Sequence, residues 1–332
     1  MPDYRRIIEE RERQTLSPYA ALSAETRGRE YPIDPCPVRT AFVRDRDRII
    51  HCKSFRRLKH KTQVFLSPIG DHYRTRLTHT LEVAQIARTI ARGLLLNEDL
   101  TEAIAMGHDL GHTPFGHSGE SVLNRIVPGG FEHNKQSLRI VEKLENGKGL
   151  NLTFEVRDGI LNHKKSGHPS TLEGVVVSLA DRIAYVNHDI DDAVRAGLLS
   201  NDILPKSCIE AIGATHGERI NTLVLDILQT SSGKNHVEMS GEISSEFEKL
   251  RQFLFDNLYY DSAAKAEEGK AEGVIERLYY HYLKHVSELP PEFTKCIDED
   301  GPNRIAADYI ACMTDRYAVR DYTRLFVPAD WA

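Results

Sequence analysis

The chain has 332 residues, of which 40% are hydrophobic, and a formal net charge of −6 at pH 7. This size predicts one large domain or two ordinary ones with a sizeable core. The pI of ≈ 6.2 excludes an overall positive charge that would attract nucleic acid or a membrane surface. An anionic substrate would therefore need cations supplied locally. No apolar run approaches the ~20 residues of a membrane span.

The cysteine pattern and the charged start of the chain together predict a cytoplasmic protein. Five cysteines are scattered without a Cys-x-x-Cys pair, which favours reduced thiols over disulfides or a zinc ribbon. The first residues, MPDYRRIIEERERQ, lack the apolar stretch that a secretory signal needs. We therefore expect no membrane partner.

Two charged segments open the chain. Residues 1–38 predict an N-terminal arm, with a charged helix over about 3–13 and a proline-rich loop after it. A loosely packed extension and an oligomer-contact arm are both compatible with this pattern. Residues 39–61 are dense in arginine and lysine, with the apolar spacing of an amphipathic helix that has a broken start. The basic residues at 53–61 outnumber the local acids, so we expect some of them to face an anion.

Helical periodicity dominates the remainder of the sequence, apart from a short β-branched and aromatic run at 62–66 that predicts a small strand or hairpin. The apolar spacing predicts helices over these approximate ranges: 76–95, 99–110, a restart at 117 or 118, 131–144, 153–163, 171–196, 205–213, 217–229, 242–260, 269–286 and 303–319. The start of 171–196 is apolar, as expected of a buried central helix. The sequence therefore predicts a mostly α protein.

Four side chains in or at the ends of these helical runs are candidate metal ligands: His79, His108, Asp109 and Asp181. Mixed imidazole and carboxylate ligands suit a divalent ion such as Mn, Mg, Fe, Ni or Zn, and ligands from three helices are typical of bundle-core sites. A lone histidine such as His79 is more often a satisfied polar residue. Asp181 follows an apolar run and would need a cation or donors if buried, and the joint occurrence is more specific than any one member.

More reactive side chains share helix faces with these candidates. Four lie next to a candidate ligand or one or two turns from it: Arg76, Arg182, Tyr185 and Asp189. His117 and Glu120 are three residues apart on the restarted helix, where a carboxylate can orient an imidazole and raise its basicity; an ordinary surface pair is the alternative. His112 lies one turn beyond His108, across a break at Gly111.

The spacing His79…His108-Asp109…Asp181 resembles the H…HD…D motif of the HD-domain metal-dependent phosphohydrolases. The wider sequence resembles one branch of them, the deoxyguanosine triphosphate triphosphohydrolase-like proteins. The stretches that carry this resemblance are RRLKHKTQVF (56–65), DHYRTRLTHTLEVAQIAR (71–88), GHDLGHTPFGHSGE (107–120), GGFEHNKQSLRIVEKLE (129–145), ADRIAYVNHDIDDA (180–193) and DYIACMTDRYA (308–318). The resemblance covers most of 39–319 and is most specific over 71–193.

The resemblance implies an all-α fold, namely an HD-domain helical bundle with extra C-terminal helices and at most a small β-hairpin. We divide the chain into an N-terminal arm (1–38), an HD metal-dependent phosphohydrolase core (39–200) and a C-terminal helical part packed on the core (201–332). Members of this family also imply a homo-oligomer, either a tetramer or a hexamer.

The implied activity is metal-dependent hydrolysis of a deoxynucleoside triphosphate to a deoxynucleoside and tripolyphosphate. Carried onto this chain, the metal ligands would be His79, His108, Asp109 and Asp181. His117, supported by Glu120, would transfer a proton to the 5′ leaving oxygen or from the nucleophile, and His112 and His133 would lie near the phosphates. The implied substrate contacts are Arg57, Arg76, Arg182 and Tyr185, with Gln63 and Asp189 at the sugar 3′-OH.

Three other functions remain open at this stage. One is a different HD phosphohydrolase, such as a 5′-nucleotidase or a cyclic-nucleotide or (p)ppGpp hydrolase. Another is a nucleotide sensor that binds deoxynucleoside triphosphates without turnover, against which the His117–Glu120 pair argues. The third is weak single-stranded nucleic-acid binding through the basic stretch 39–61, for which a steep salt dependence would be expected.

Overall fold

The computed structural model describes residues 3–63, 74–195, 199–200, 203–258 and 263–328. The α-helices of this part are α1 Tyr4–Thr15, α2 Ala41–Ile50, α3 Lys53–Arg57, α4 Arg76–Gly93, α5 Glu98–Gly107, α6 Gly116–Ile126, α7 His133–Arg139, α8 Phe154–Asn162, α9 Leu172–Arg195, α10 Lys206–Ile212, α11 His216–Ser231, α12 Gly241–Leu258, α13 Ala263–Lys284, α14 Pro291–Thr294, α15 Ile297–Ala311 and α16 Asp315–Phe326. None of these helices is long and apolar enough to cross a bilayer.

The all-α prediction is confirmed. Within the described ranges, β-structure is limited to two isolated bridges, Arg29 with Thr153 and Thr62 with Thr75. Most of the strand predicted at 62–66 lies outside the described residues. The helices predicted over 76–95 and 171–196 correspond to α4 and α9, with ends that differ by one or two residues.

The single helix predicted over 303–319 is wrong. The chain forms α15 and α16 there, and Thr314 lies between them with its hydroxyl accepting a hydrogen bond from the backbone N–H of Tyr317 at 3.2 Å. A threonine that caps a new helix accepts a hydrogen bond from a backbone N–H that would otherwise lack a partner. The chain can therefore end one helix and begin another even where the apolar spacing continues. The helix predicted over 131–144 likewise ends its α-helical part at Arg139 and continues as one π turn.

The buried apolar side chains form two clusters, and the loop between α5 and α6 lies where they meet. The larger cluster fills the space between α2, α4, α5, α8 and α9 and includes Ile104 and Ile183, both fully buried. The smaller cluster joins α6 to α13, α15 and α16 and includes Leu123 and Ile310. Burying side chains of this size stabilises the fold by about 1.5–3 kcal/mol each. Leu110 belongs to the larger cluster and Phe115 to the smaller one, so the loop is anchored in both.

Two buried carboxylates hold the N-terminal arm, one within the arm and one between the arm and the rest of the chain. Glu12 accepts hydrogen bonds from the backbone N–H and the hydroxyl of Ser23, at 2.8 and 2.7 Å. Glu173, at the start of α9, accepts from the N–H groups of Ala21 and Asn97, each at 3.0 Å. The arm over these residues is therefore tied to the core, and its predicted role in an oligomer stays a prediction.

We expect the substitution Glu173→Gln to stabilise the protein at high pH only. Burial raises the pKa of Glu173 from its ordinary 4.5 to about 7. The folded state therefore holds this proton more tightly than the unfolded state between these two values, and stability falls as pH rises through that window. A neutral amide removes this loss, so Tm should rise by on the order of a degree or two at pH 8 and be little changed near pH 5.

Thermal unfolding at pH 5 and pH 8 measures this effect. The matched control is Glu242→Gln, because Glu242 is also in the first turn of a helix but is exposed. A Tm difference for Glu173→Gln that is the same at both pH values would contradict the assignment.

Candidate metal centre and catalytic cavity

Three helices place the four predicted metal ligands around one point, with His79 on α4, Asp181 on α9, and His108 and Asp109 directly after α5. Nε2 of His79 lies 3.1 Å from Oδ1 of Asp181 and 3.9 Å from Oδ2 of Asp109. Nε2 of His108 lies 3.4 Å from Oδ1 of Asp109 and 3.7 Å from Oδ1 of Asp181. Ligand atoms that share one ion at about 2.1 Å are roughly 3.0–3.4 Å apart, so this cluster is close to the size that one divalent ion needs.

His108 shows that the cluster fits a cation. Its Nδ1 lies 2.6 Å from the carbonyl oxygen of Ala105; a carbonyl only accepts, so Nδ1 carries the hydrogen and Nε2 holds the lone pair of the neutral ring. This buried Nε2 has no hydrogen-bond partner among the described residues, yet it faces two carboxylate oxygens. Lone pairs that face one another in a buried site are unfavourable unless a cation lies between them.

Both carboxylates of the cluster are held ionised. Burial alone would raise the pKa of Asp109, but His108, His112 and Arg76 outweigh it and hold this pKa well below its usual range. Arg76 donates a hydrogen bond to Oδ2 of Asp109 at 3.0 Å. For Asp181 the effect of burial is likewise outweighed by neighbouring imidazoles, which lower its pKa. Metal binding needs deprotonated ligands, and both carboxylates are already in that form.

A chain of polar contacts behind His79 was not predicted from sequence. Nδ1 of His79 lies 3.4 Å from Nδ1 of His188, and Nε2 of His188 lies 2.9 Å from Oε2 of Glu82. Outer contacts of this kind orient a ligating imidazole and fix which nitrogen faces the ion. A signal for it was present, because His188 lies two helical turns beyond Asp181 on α9.

The turn after α5 contains one position that only glycine can occupy and one residue in an uncommon backbone conformation. A Cβ at Gly111 would lie 2.2 Å from the backbone nitrogen of Ser137 on α7, so only glycine allows this approach. The hydroxyl of Ser137 accepts from Gly111 N–H at 2.8 Å and donates to the carbonyl of His108 at 2.7 Å. Phe115 adopts φ 62° before α6 begins, a conformation that is uncommon for a bulky residue. The turn thereby fixes where α6 and its side chains start.

Four residues predicted for catalysis lie together beside the metal ligands. Nδ1 of His133 lies 2.9 Å from both carboxylate oxygens of Glu120, and Nδ1 of His117 lies 3.7 Å from Oε2 of Glu120. The rings of His112 and His133 stack with centroids 3.9 Å apart, and Nε2 of His112 lies 3.0 Å from Oδ1 of Asp109.

The protonation of this group is set by its surroundings. Burial alone would raise the pKa of Glu120, but the neighbouring imidazoles of His117 and His133 outweigh it and hold the pKa far below its usual range. Burial lowers the pKa of His112, and the nearby guanidinium of Arg76 adds to that shift. The side chain of His117 is 73% exposed, whereas His112 and His133 are buried, so His117 is the imidazole of this group that is open to exchange protons with a bound molecule.

These residues surround a cavity of ≈ 720 Å³, within the roughly 300–1,000 Å³ of small-molecule sites. The residues from the sequence-based site that line it are Gln63, Arg76, His79, Asp109, His112, His117, His133, Asp181, Arg182, Tyr185 and Asp189. His108 and Glu120 lie behind this lining, in contact with it. Burial raises the pKa of Tyr185 to about 12, so its hydroxyl is neutral and can donate a hydrogen bond.

Arg57 lies elsewhere, in a second cavity of ≈ 320 Å³ that it lines with Ser54 and Glu145. Its role as a substrate contact therefore stays a prediction. Four cavity residues that could bear on binding or chemistry were not singled out from sequence: His163, Lys164, Lys165 and Arg251. The first three are consecutive at the end of the helix predicted over 153–163, which was a usable signal. Arg251 lies on α12, where the sequence has no recognisable motif.

Comparison with known proteins agrees with this geometry. Residues 76–186 match the HD domain and residues 237–324 match the phosphohydrolase-associated domain. A deoxyguanosinetriphosphate triphosphohydrolase-like protein of Caldanaerobacter subterraneus subsp. tengcongensis is 60% identical over 98% of this chain and 97% of its own length. The chain belongs to the deoxyguanosinetriphosphate triphosphohydrolase-like family. Relatives of the same description from Clostridium perfringens and Geobacter sulfurreducens are 52% and 42% identical, over 98% and 96% of both chains.

A solved structure supports the fold of this family member. A phosphohydrolase from Bacteroides thetaiotaomicron superposes with a TM-score of 0.53 at 18% identity, covering 85% of this chain and 69% of that one. At this identity the similarity concerns the fold alone. Membership in the family and the HD domain make the chain an HD-type phosphohydrolase, a class that depends on a metal ion. Among the described residues, two groups of side chains could hold one: His79, His108 and Asp181, and next to them Asp109, His112 and His133.

We expect Asp181→Ala to lose bound metal and activity together. The substitution removes a carboxylate that faces both His79 and His108, so metal affinity should fall by at least 10-fold to 100-fold, the range seen for outer contacts alone. Metal content by atomic emission and metal affinity by calorimetry measure it. Asp189→Ala is the matched control, because Asp189 lies on the same helix and lines the same cavity but is not in the ligand cluster. Equal metal content in wild type and Asp181→Ala would remove Asp181 from the centre.

Proposed function

We propose that the chain hydrolyses deoxynucleoside triphosphates to a deoxynucleoside and tripolyphosphate. One observation carries this proposal: a single cavity brings together a cluster of candidate metal ligands, an exposed imidazole beside a buried carboxylate, and a group of cationic side chains. The names of the 42–60% identical relatives, which describe deoxyguanosinetriphosphate triphosphohydrolase-like proteins, support the same substrate class. We further propose a homo-oligomer, a tetramer or hexamer, for the working protein.

A divalent ion held by His79, His108, Asp109 and Asp181 would polarise a phosphate and lower the pKa of a water molecule. Mn, Mg, Ni, Fe and Zn all accept this mixture of imidazole and carboxylate ligands. Arg76 lines the cavity while it is bonded to Asp109. It can therefore place a fixed positive charge beside the phosphate nearest the metal.

The remaining phosphates need cations, because a triphosphate carries about four negative charges and the protein as a whole is acidic. Lys165, Arg182 and Arg251 line the cavity and share a single carboxylate, Glu248. Three cations and one anion leave this group with a net charge of 3 − 1 = +2. Lys164 lines the same wall and pairs with Glu132 at 3.0 Å. Five carboxylates also line the cavity, namely Asp109, Asp181, Asp189, Glu268 and Glu272, so the excess of positive charge is confined to the group around Glu248 and would be completed by the metal ion.

His117 would move the proton of the reaction. The leaving group is the sugar 5′ oxygen, a poor leaving group unless protonated as the P–O bond breaks. Glu120 lies 3.7 Å from Nδ1 of His117 and can orient its ring, so that the imidazole can supply that proton. Gln63, Tyr185 and Asp189 lie on the wall of the cavity, where we place the sugar, with the 3′-OH at Gln63 and Asp189.

Three arginines in the first half of the basic stretch 39–61 weaken the nucleic-acid alternative. Arg39 pairs with Asp47 and Arg46 with Glu102, each at 2.9 Å. Arg48 donates to the carbonyl of Leu150 at 2.8 Å. These side chains are committed to contacts within the chain, so they are not a free basic surface.

Product analysis tests the proposal. Metal-loaded protein is given each deoxynucleoside triphosphate singly and then all four together, and products are separated by anion-exchange chromatography. Tripolyphosphate and deoxynucleoside in equal amounts are expected. Orthophosphate or pyrophosphate would instead indicate another HD phosphohydrolase, and binding without products under every divalent ion would indicate a sensor.

We expect His117→Ala to lower kcat by about 10²–10⁴-fold, the usual contribution of a positioned proton donor, while metal content stays at the wild-type level. Single-turnover rates and metal content measured on the same preparation check this. His168→Ala is the control, because His168 is an exposed histidine outside the lining of the cavity. Loss of the metal in His117→Ala would show that its assigned role is wrong.

A further inference from the structure

The first helix of the chain buries charged side chains and exposes its apolar ones. The three apolar residues of α1 are Tyr4, Ile7 and Ile8, and they are 52%, 60% and 39% exposed. Glu9 and Glu12 of the same helix are instead buried. A surface helix normally packs its apolar face on the core and exposes its charges, so α1 presents to solvent the kind of face that usually has a partner.

This orientation of α1 is fixed by polar contacts on its inner side. Arg5 donates to the carboxylate of Glu9 at 2.8 Å and to the carbonyl of Cys36 at 3.1 Å. Glu12 accepts from the N–H and the hydroxyl of Ser23. Turning α1 over to bury its apolar face would break these bonds, and buried polar groups without partners are unfavourable. The apolar face is therefore held outward.

The exposed apolar residues of α1 form one continuous stripe. Tyr4, Ile7 and Ile8 have the i, i+3, i+4 spacing that places side chains next to one another on a helix. Val38, also exposed, directly follows Pro37, whose carbonyl accepts from the first turn of α1 at 3.1 Å. Single apolar residues are ordinary on a protein surface, whereas adjacent ones indicate an interaction site.

The charges beside the stripe complement their own reversed order. Arg6 and Glu10 are exposed and lie one helical turn apart on the same side of α1. When two copies of a helix pack antiparallel about a two-fold axis, each side of the helix faces the same side of its counterpart in reverse order. With the axis at residue 8, Arg6 lies opposite Glu10 of a second copy, and Ile7 and Ile8 meet their own counterparts.

We propose that α1 is a contact between two copies of this chain, packed antiparallel about a two-fold axis beside Ile7 and Ile8. The contact would be one interface of the homo-oligomer proposed above, and it is independent of the reaction. A lipid surface is a weaker candidate to cover this face, because the protein carries a net charge of −6 and is repelled by anionic membranes.

The present partners of the two charges leave them free to form this pairing. Arg6 lies 3.4 Å from Asp3 and Glu10 lies 3.7 Å from Arg13, and both pairs are solvent-exposed. Exposed ion pairs of this kind contribute little stability, so exchanging them for pairs with a second copy costs little.

The size of α1 sets the expected strength of the contact. Its 12 residues make a helix about 18 Å long. Two helices of this length bury less than the roughly 1,200–2,000 Å² of a stable protein interface. We therefore expect an association through α1 that weakens measurably on dilution.

Sedimentation velocity of the full chain over a range of concentrations tests the proposal. Arg6→Glu and Glu10→Arg each replace two attractive contacts by two repulsive ones, so either variant should weaken association by about tenfold or more. The double variant R6E/E10R restores opposite charges and should recover most of the loss. An equal mixture of the two single variants should also associate, because their charges complement each other.

Arg316→Glu is the matched control, since Arg316 is likewise an exposed arginine in the first turn of a helix, and it should associate like the wild type. A wild type that stays monomeric at every concentration would overturn the proposal, as would single variants that associate normally or a double variant that stays dissociated. A monomer that binds phosphatidylglycerol vesicles would assign this face to lipid instead.

The outcomes separate this contact from the other proposals. An oligomer that none of the α1 variants alters would leave the homo-oligomer in place but overturn α1 as its contact. Absence of tripolyphosphate among the products would contradict the proposed reaction and leave the sedimentation results unchanged.

Discussion

The site depends on one buried carboxylate, Asp109. An isolated charge of this kind is very unfavourable in a protein interior, and it persists only where partners surround it. Here Arg76 donates from one side, the imidazoles of His108 and His112 lie on two others, and His79 approaches from α4. Each of these partners also lines or supports the cavity. The contacts that stabilise Asp109 therefore also position candidate ligands and cavity-lining side chains.

The position of Asp109 follows from the way in which the two apolar clusters meet. The loop after α5 leaves one cluster and enters the other, and its backbone is tied on both sides. Lys61, which is fully buried, donates to the carbonyls of His112 and Ala311. Asp315, at the start of α16, accepts from the N–H groups of Thr62 and Phe115 at 2.8 and 3.0 Å. The helices that follow residue 200 thus help to shape the loop of candidate site residues more than 190 residues earlier in the chain.

The sequence could predict the helical class and the set of side chains that converge, because both leave local marks. Apolar periodicity indicates α4 and α9. Adjacent polar residues such as His108-Asp109 indicate a site, because a protein core is built from apolar side chains. Contacts between distant segments leave no such mark. The hydrogen bonds of Lys61 to the loop after α5, and the group of cationic side chains around Glu248, depend on helices that meet only after folding. The break at Thr314 was missed because a side-chain cap competes with a continuing apolar pattern.

Four histidines in or behind the cavity wall separate into two kinds according to what holds Nδ1. In His108 and His163 a backbone carbonyl accepts from Nδ1, and in His133 a carboxylate does. Their rings cannot turn over without breaking these bonds, so each presents a fixed nitrogen to the interior. His117 differs, because its side chain is mostly exposed and its Nδ1 is 3.7 Å from Glu120, beyond a hydrogen bond. A proton has to be delivered at the moment a bond breaks, which requires a ring that can adjust to the substrate, whereas metal binding and charge stabilisation require rings that cannot move. In the proposed mechanism these two demands fall to different histidines.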